Sequence, residues 1–173
     1  MKKVLLIFTM FFLFFTINAQ DNFLFLKSNR FLKIELDYST AKIGGWESAD
    51  FFLQKNDREP NYEYLYKKRM LDVFIDFCNR KLPYNCKLVK DYDTNLIMIV
   101  KFKTIDLNGT TRAIILIKKI DTNEVLANIE MYAKGGRWNT FLYLSEYAMK
   151  YLGENTGKYI EKKVRRQDEY YYN

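Results

Sequence analysis

The sequence predicts an α+β domain, an antiparallel sheet of about five strands in the order β-α-β-β-β-β-α with two long helices packed on it. Three observations carry this prediction. Apolar residues recur at spacings of three and four over residues 60–82 and again beyond residue 140, the period of a helix buried along one face. Four strand-like apolar runs lie between those segments, joined by short stretches rich in turn residues. The chain has 173 residues, 17% of them aromatic, with two prolines and two cysteines, which suits one compact domain and excludes collagen-like, disulfide-dense and disordered classes.

The chain opens with Met1-Lys2-Lys3 and an almost entirely apolar run over residues 4–15, followed by Ala19 before Gln20. That pattern is a signal peptide, residues 1–19, because a membrane-spanning helix needs roughly 20 apolar residues and this run is shorter. The expectation is an exported protein, periplasmic or extracellular, soluble and without a stable membrane span after cleavage. A single domain over 20–166 and a frayed C-terminal tail over 167–173 complete the division.

The first strand is expected at residues 31–38, where Ile34, Leu36 and Tyr38 alternate with Lys33, Glu35 and Asp37. Residues 39–58 contain Gly44-Gly45 and Trp46 and read as a loop with one helical turn around 49–53. Pro60 starts a long helix, on which Tyr62, Tyr66, Met70, Val73, Phe74, Phe77 and Cys78 form one stripe. Strands are expected over 86–92, 96–105, 111–120 and 124–133. Asn108-Gly109 and Asp121-Thr122-Asn123 turn the last three into an antiparallel meander. Gly135-Gly136-Arg137-Trp138 then breaks the sheet pattern. The second long helix follows, with Gly153 and Gly157 four apart where a neighbouring backbone would pack closely.

Two of the strands strain this picture. Residues 96–100 (LIMIV) and 113–117 (AIILI) are apolar on both faces, whereas a sheet open on one side should alternate throughout. Either the helices lie on opposite faces or something covers the second face: the 39–58 loop with its Trp46, Phe51, Phe52 and Leu53, a second copy, or another protein. The loop is the expected cover.

The charge balance is 28 Lys and Arg against 21 Asp and Glu, net +7, with no histidine. Without histidine, Ser-His-Asp and Cys-His nucleophile pairs and histidine-bearing zinc sites are excluded. The cations are spread along the chain apart from Lys162-Lys163-Val164-Arg165-Arg166, so nucleic-acid binding is not expected. Cys78 and Cys86 enclose a nine-residue loop. Bridged, they would contribute about 2.5 kcal/mol in the chain-entropy model. The alternative is a pair of buried thiols, and spacing alone does not choose between them.

The runs Ile99-Val100-Lys101-Phe102-Lys103-Thr104-Ile105-Asp106, Asp121-Thr122-Asn123-Glu124-Val125-Leu126 and Gly135-Gly136-Arg137-Trp138, leading into a helix with Gly153 and Gly157, resemble a group of uncharacterised exported proteins of Bacteroidetes-type bacteria. More distantly they are similar to periplasmic α/β envelope domains of the curli-assembly and TolB N-terminal type. The resemblance spans roughly residues 86–164 and rests on turn and packing signatures, which speak for fold more than for activity. Arg137 and Trp138 stand where smaller residues are expected after the glycine pair, and the lipoprotein cysteine common in such domains is lacking. The resemblance implies an envelope-associated domain that works through contacts, and no catalytic residue.

Glu35 and Asp37 share one face of the first strand and could act as a paired acid and base in a small hydrolase. The same residues would equally serve as solvated charges of an edge strand. Gly135-Gly136 could present backbone N–H groups to an anion, yet it lacks the lysine-serine pair of a phosphate loop and the third glycine of a dinucleotide site. No cofactor and no metal are therefore expected. Trp46, Arg137 and Trp138 are the candidates for a binding patch, since tryptophan and arginine are enriched where interfaces concentrate their energy. The leading expectation is a non-enzymatic, exported interaction or structural domain whose partner is another envelope protein or itself. The alternatives are the hydrolase and a binder of small ligands or glycans through aromatic loops. A cleft converging on the two carboxylates would favour the hydrolase. A flat, apolar, lysine-rimmed patch would favour the interaction domain.

Overall fold

The computed structural model describes residues 23–83 and 85–172, with side chains to residue 167. The leader expected over residues 1–19 lies outside them. In chain order the elements are α1 (Phe25–Ser28), β1 (Phe31–Asp37), β2 (Lys42–Ile43), β3 (Trp46–Glu47), α2 (Ser48–Arg58), α3 (Tyr62–Asn79), β4 (Lys87–Val89), β5 (Leu96–Ile105), β6 (Thr111–Lys119), β7 (Val125–Ala133) and α4 (Phe141–Tyr172).

The α+β class holds, but the sheet is mixed rather than antiparallel, and it has seven strands, two of them only two residues long. β5, β6 and β7 form the expected antiparallel meander, with Val100 opposite Ile115 and Ile115 opposite Ile129. β1 lies in the middle of a parallel set, paired with β4 through Leu32 and Leu88 and with β5 through Glu35 and Ile99. Beyond Asp37 the short ribbon β2-β3 takes over the same edge of β5 at Thr104 and Ile105. The reason is the helical segment between β1 and β4. A crossover carries the chain back to the starting end of the sheet, so the next strand runs parallel, whereas a two-residue turn would have reversed it.

The helices pack on one face. Leu32, Ile34 and Tyr38 of the first strand segment, Met98, Val100 and Phe102 of β5, Ala113, Ile115 and Ile117 of β6 and Ala127 and Ile129 of β7 join one core with Phe52 of α2, Phe74 of α3 and Leu152 of α4. On α3 the buried residues Tyr66, Met70, Phe74 and Cys78 recur every four positions, as the sequence predicts. α3 and α4 run side by side in the same direction: Tyr66 stacks on Phe141 at 5.7 Å, Arg69 pairs with Glu146, and Gly153 meets Phe74. The turn ending at Gly109 (φ +82°) and the left-handed Asn123 (φ 56°) close the two meander hairpins.

The 39–58 segment does not cover the second face. It forms α2 on the helix side, where Phe51 and Phe52 are buried against Tyr38, Tyr66 and Phe141. Its position follows from Tyr38, whose side chain already points to the helix side as the chain leaves β1. Leu53 and Trp46, expected as part of the cover, are 63% and 56% exposed.

Candidate functional site

The face turned away from the helices is built from three cross-strand rows. Lys33, Ile97 and Lys118 form the first; Glu35, Ile99, Leu116 and Asn128 the second; Asp37, Lys101, Ile114 and Glu130 the third. Because strand side chains alternate, these residues cannot reach the helix-side core. Ile97 is buried, and Ile99, Ile114 and Leu116 are half-buried among the charges around them. None of the four belongs to the main core cluster. Covering the exposed remainder of one of the three half-buried side chains is worth on the order of 1 kcal/mol. The apolar strip is therefore a source of binding energy that folding leaves unused.

Its rim is mostly basic. Lys33, Lys101, Lys103, Arg112 and Lys118 outnumber Glu35, Asp37 and Glu130. Lys103 pairs with Glu130 at 2.6 Å, Lys33 with Glu35 at 3.5 Å, and Lys118 donates to the Asn123 side chain. Exposed pairs of this kind add about 0–1 kcal/mol each, so they leave the rim available to a partner. Where β5 bulges between Phe102 and Thr104, Lys103 is turned towards Glu130, which widens the charged border of the strip.

Glu35 and Asp37 do share this face, as the sequence predicts, yet each is absorbed locally. Partial burial alone would raise the Asp37 carboxyl, but hydrogen bonds from Ser39 and the nearby Lys101 bring it below its ordinary value. An acid catalyst needs the opposite shift. Neither carboxylate lines the groove at Arg137 or the groove at Tyr62.

Trp138 is 92% exposed and Trp46 is 56% exposed. Both lie at the end of the sheet where β5 finishes: Ile43 links Trp46 to Ile105, and the Gly136 N–H donates to the Asn108 carbonyl. Arg137 separates from them and lines a groove of about 640 Å³ with Tyr132, Lys134, Tyr147, Tyr151 and Asn155. A second groove, of about 610 Å³, lies beside the first turns of α3 and α4, between Tyr62, Leu65, Lys68 and Leu142.

Cys78 and Cys86 are both buried and both free thiols, so no bridge joins them. Burial, then the neighbouring Cys86 thiol, pushes Cys78 far above its usual value. Burial likewise pushes Cys86 up to about 11, against the pull of Lys87. Groups held protonated in this way are poor nucleophiles and poor metal ligands. Among the described residues no three Cys, Asp or Glu side chains gather as a metal site would require, and no helix is long and apolar enough to cross a membrane.

No protein-family model matches the chain, and no curated protein does. A solved structure of a PelC dodecamer from Paraburkholderia phytofirmans is similar over 76% of this chain and 90% of that one, at 7% sequence identity and a TM-score of 0.39.

Sequence reasoning missed the company that Arg137 keeps. Tyr132 and Lys134 lie in the same stretch as Arg137, but Tyr147, Tyr151 and Asn155 come from a second one, the C-terminal helix, and neither stretch stands out alone. One signal was readable: Tyr147 and Tyr151 are four apart, which on a helix makes neighbours of two polar aromatics outside the buried stripe.

Proposed function

We propose that this protein is an exported, non-enzymatic interaction domain of the bacterial envelope that works through the uncovered face of its sheet. The observation that carries the reading is the strip of Ile97, Ile99, Ile114 and Leu116 on the side opposite the helices, within a rim of lysines. Ile99, Ile114 and Leu116 keep part of their apolar surface in water, and a partner that covers it gains that hydrophobic energy. The leader pattern over residues 1–19 and the resemblance of residues 86–164 to periplasmic envelope domains support the address.

The favoured occupant is another envelope protein that offers an apolar ridge flanked by Asp and Glu. A second copy stacked face to face would set two mostly basic rims against each other, a like-charge arrangement that costs affinity. Asp37, held ionised, and the local pairing of Glu35 with Lys33 support reading the two carboxylates as part of the rim.

The test is site-specific photo-crosslinking in intact cells, with the reactive group at Leu116 on the open face or at Tyr64 on the helix side. Adducts with one envelope protein from position 116 alone support the reading, and intact mass of the native form should begin at Gln20. Adducts only between copies would replace the partner with self-association. The proposal falls if position 116 gives no adduct or if the protein stays in the cytoplasm.

A further inference from the structure

We infer that the groove between the end of β7, the loop 134–138 and the flank of α4 binds an acidic glycan chain, at a site apart from the strip of Ile97, Ile99, Ile114 and Leu116. Its size, about 640 Å³, lies within the range of ligand sites, and its walls combine three kinds of group.

Aromatic surface comes from Tyr132, Tyr147 and Tyr151. The rings of Tyr147 and Tyr151 stand 4.7 Å apart at 61°, fixed by a hydrogen bond of 3.1 Å between their hydroxyls. Tyr132, on the other wall, is 53% exposed. Flat rings of this kind bury the C–H face of a sugar at little cost in side-chain entropy, because each has only two torsions to fix.

Hydroxyl recognition comes from the same tyrosines and from Asn155. The bond between the two phenols uses one donor and one acceptor site, which leaves each oxygen capacity for a further partner, and the Asn155 amide supplies both a donor pair and an acceptor. Such dual-natured groups match sugar hydroxyls, which donate and accept in turn.

Positive charge comes from Lys134 and Arg137, neither of which is ion-paired with a carboxylate among the described residues. The acidic side chains nearest along these elements are engaged elsewhere: Glu130 by Lys103, Glu146 by Arg69, and Glu154 by Lys158. The groove thus presents two available cations beside rings and hydroxyls, and a guanidinium is suited to a carboxylate.

A single-stranded nucleic acid would also seek rings and cations, but it needs ring faces open in succession for bases to stack. Here Tyr147 and Tyr151 meet edge to face, and the Arg112 guanidinium lies 6.0 Å above the ring of Tyr132. The geometry favours sugar rings that lie against one aromatic face at a time.

The experiment titrates the mature protein with an oligogalacturonate of defined length, followed by calorimetry. Parallel titrations use a neutral cello-oligosaccharide, inorganic polyphosphate and an oligothymidylate. Saturable oligogalacturonate binding is expected, weakened at least about tenfold by Tyr147→Ala and by Arg137→Ala, unchanged by Tyr64→Ala on α3, and at least about tenfold tighter than for the neutral sugar. Tyr147→Phe, which keeps the ring and removes one hydroxyl, should weaken binding by an intermediate factor and guards against misfolding of the alanine variant. No saturable binding, equal or tighter binding of polyphosphate or oligothymidylate, or an affinity untouched by the Tyr147 variants would each overturn the site. Leu116→Glu on the open face should leave this binding intact, so failure here and failure of the sheet-face reading are separable.

Discussion

Gly153 of α4 lies directly against the backbone of Phe74 in α3: a methyl group on Gly153 would stand 2.7 Å from the Phe74 carbonyl oxygen. One turn later, Gly157 has the same relation to the Cys78 carbonyl, at 2.6 Å. The two helices therefore touch through bare backbone, and a side chain at either position has to push them apart.

Gly153→Ala tests this directly. Alanine improves helix propensity by about 0.8–1 kcal/mol. Overpacking a tight contact costs about 1–3 kcal/mol, and the obstructing atom is backbone, which cannot swing aside as a flexible side chain would. The clash is expected to win, with net destabilisation of up to about 2 kcal/mol in urea unfolding. A neutral or more stable variant would mean that α3 and α4 separate freely.

Alkaline pH should unfold the protein through its buried phenols. Burial holds Tyr38 and Tyr66 well above their ordinary value, and burial together with the Glu59 carboxylate pushes Tyr62 up to about 12. The unfolded chain ionises tyrosine near pH 10. The folded state keeps the proton longer, so this contribution to stability is complete below pH 10 and disappears as the pH rises through about 12. Urea unfolding followed across that window should show falling stability, with a shallower fall in Tyr62→Phe. An identical slope in the variant would show that Tyr62 ionises normally.

Cys78 and Cys86 should behave as buried thiols. A thiol reagent is expected to find none accessible in the native protein and two after denaturation, and reductant should leave the melting temperature unchanged. Failure to find two thiols in the denatured protein would show a bridge.

Trp138→Ala should leave the melting temperature within about 2 °C of the parent, since an exposed substitution away from special features changes stability by no more than about 0.5 kcal/mol. A drop of several degrees would reveal a packing role that the 92% exposure of this residue does not suggest.

The meander was legible because its information is local: Gly109 and Asn123 take the positive φ values their turns require, and β5 begins and ends at Leu96 and Ile105 as the apolar pattern marks it. The open face was half legible. LIMIV and AIILI showed that both faces of β5 and β6 are apolar, but which face the helices take depends on where Tyr38 points and on Gly153 meeting Phe74, contacts between segments far apart in the chain. The parallel pairing of β1 with β5 was hidden for the same reason, although the helical stretch between β1 and β4 contained the hint. Of the three residues expected in one binding patch, Arg137 joins a groove while Trp46 and Trp138 stand outside its lining. No short-range pattern in the sequence encodes that division.

The central place of β1 has a kinetic side. β5, β6 and β7 are hairpin neighbours and pair at small loop-closure cost, whereas Ile34 must wait for Met98 to be made and brought back across two helices. The expected order of assembly is a hairpin nucleus first and the parallel strands afterwards. Conservative truncations at Val100 and Ile115 should then slow folding, and Ile34→Val should mainly speed unfolding. Slower folding with unchanged unfolding in Ile34→Val would place β1 in the nucleus instead. On this order, a chain emerging amino end first exposes Leu32, Ile34 and Leu36 before their partners exist, which makes the first strand the segment most in need of a chaperone's shelter.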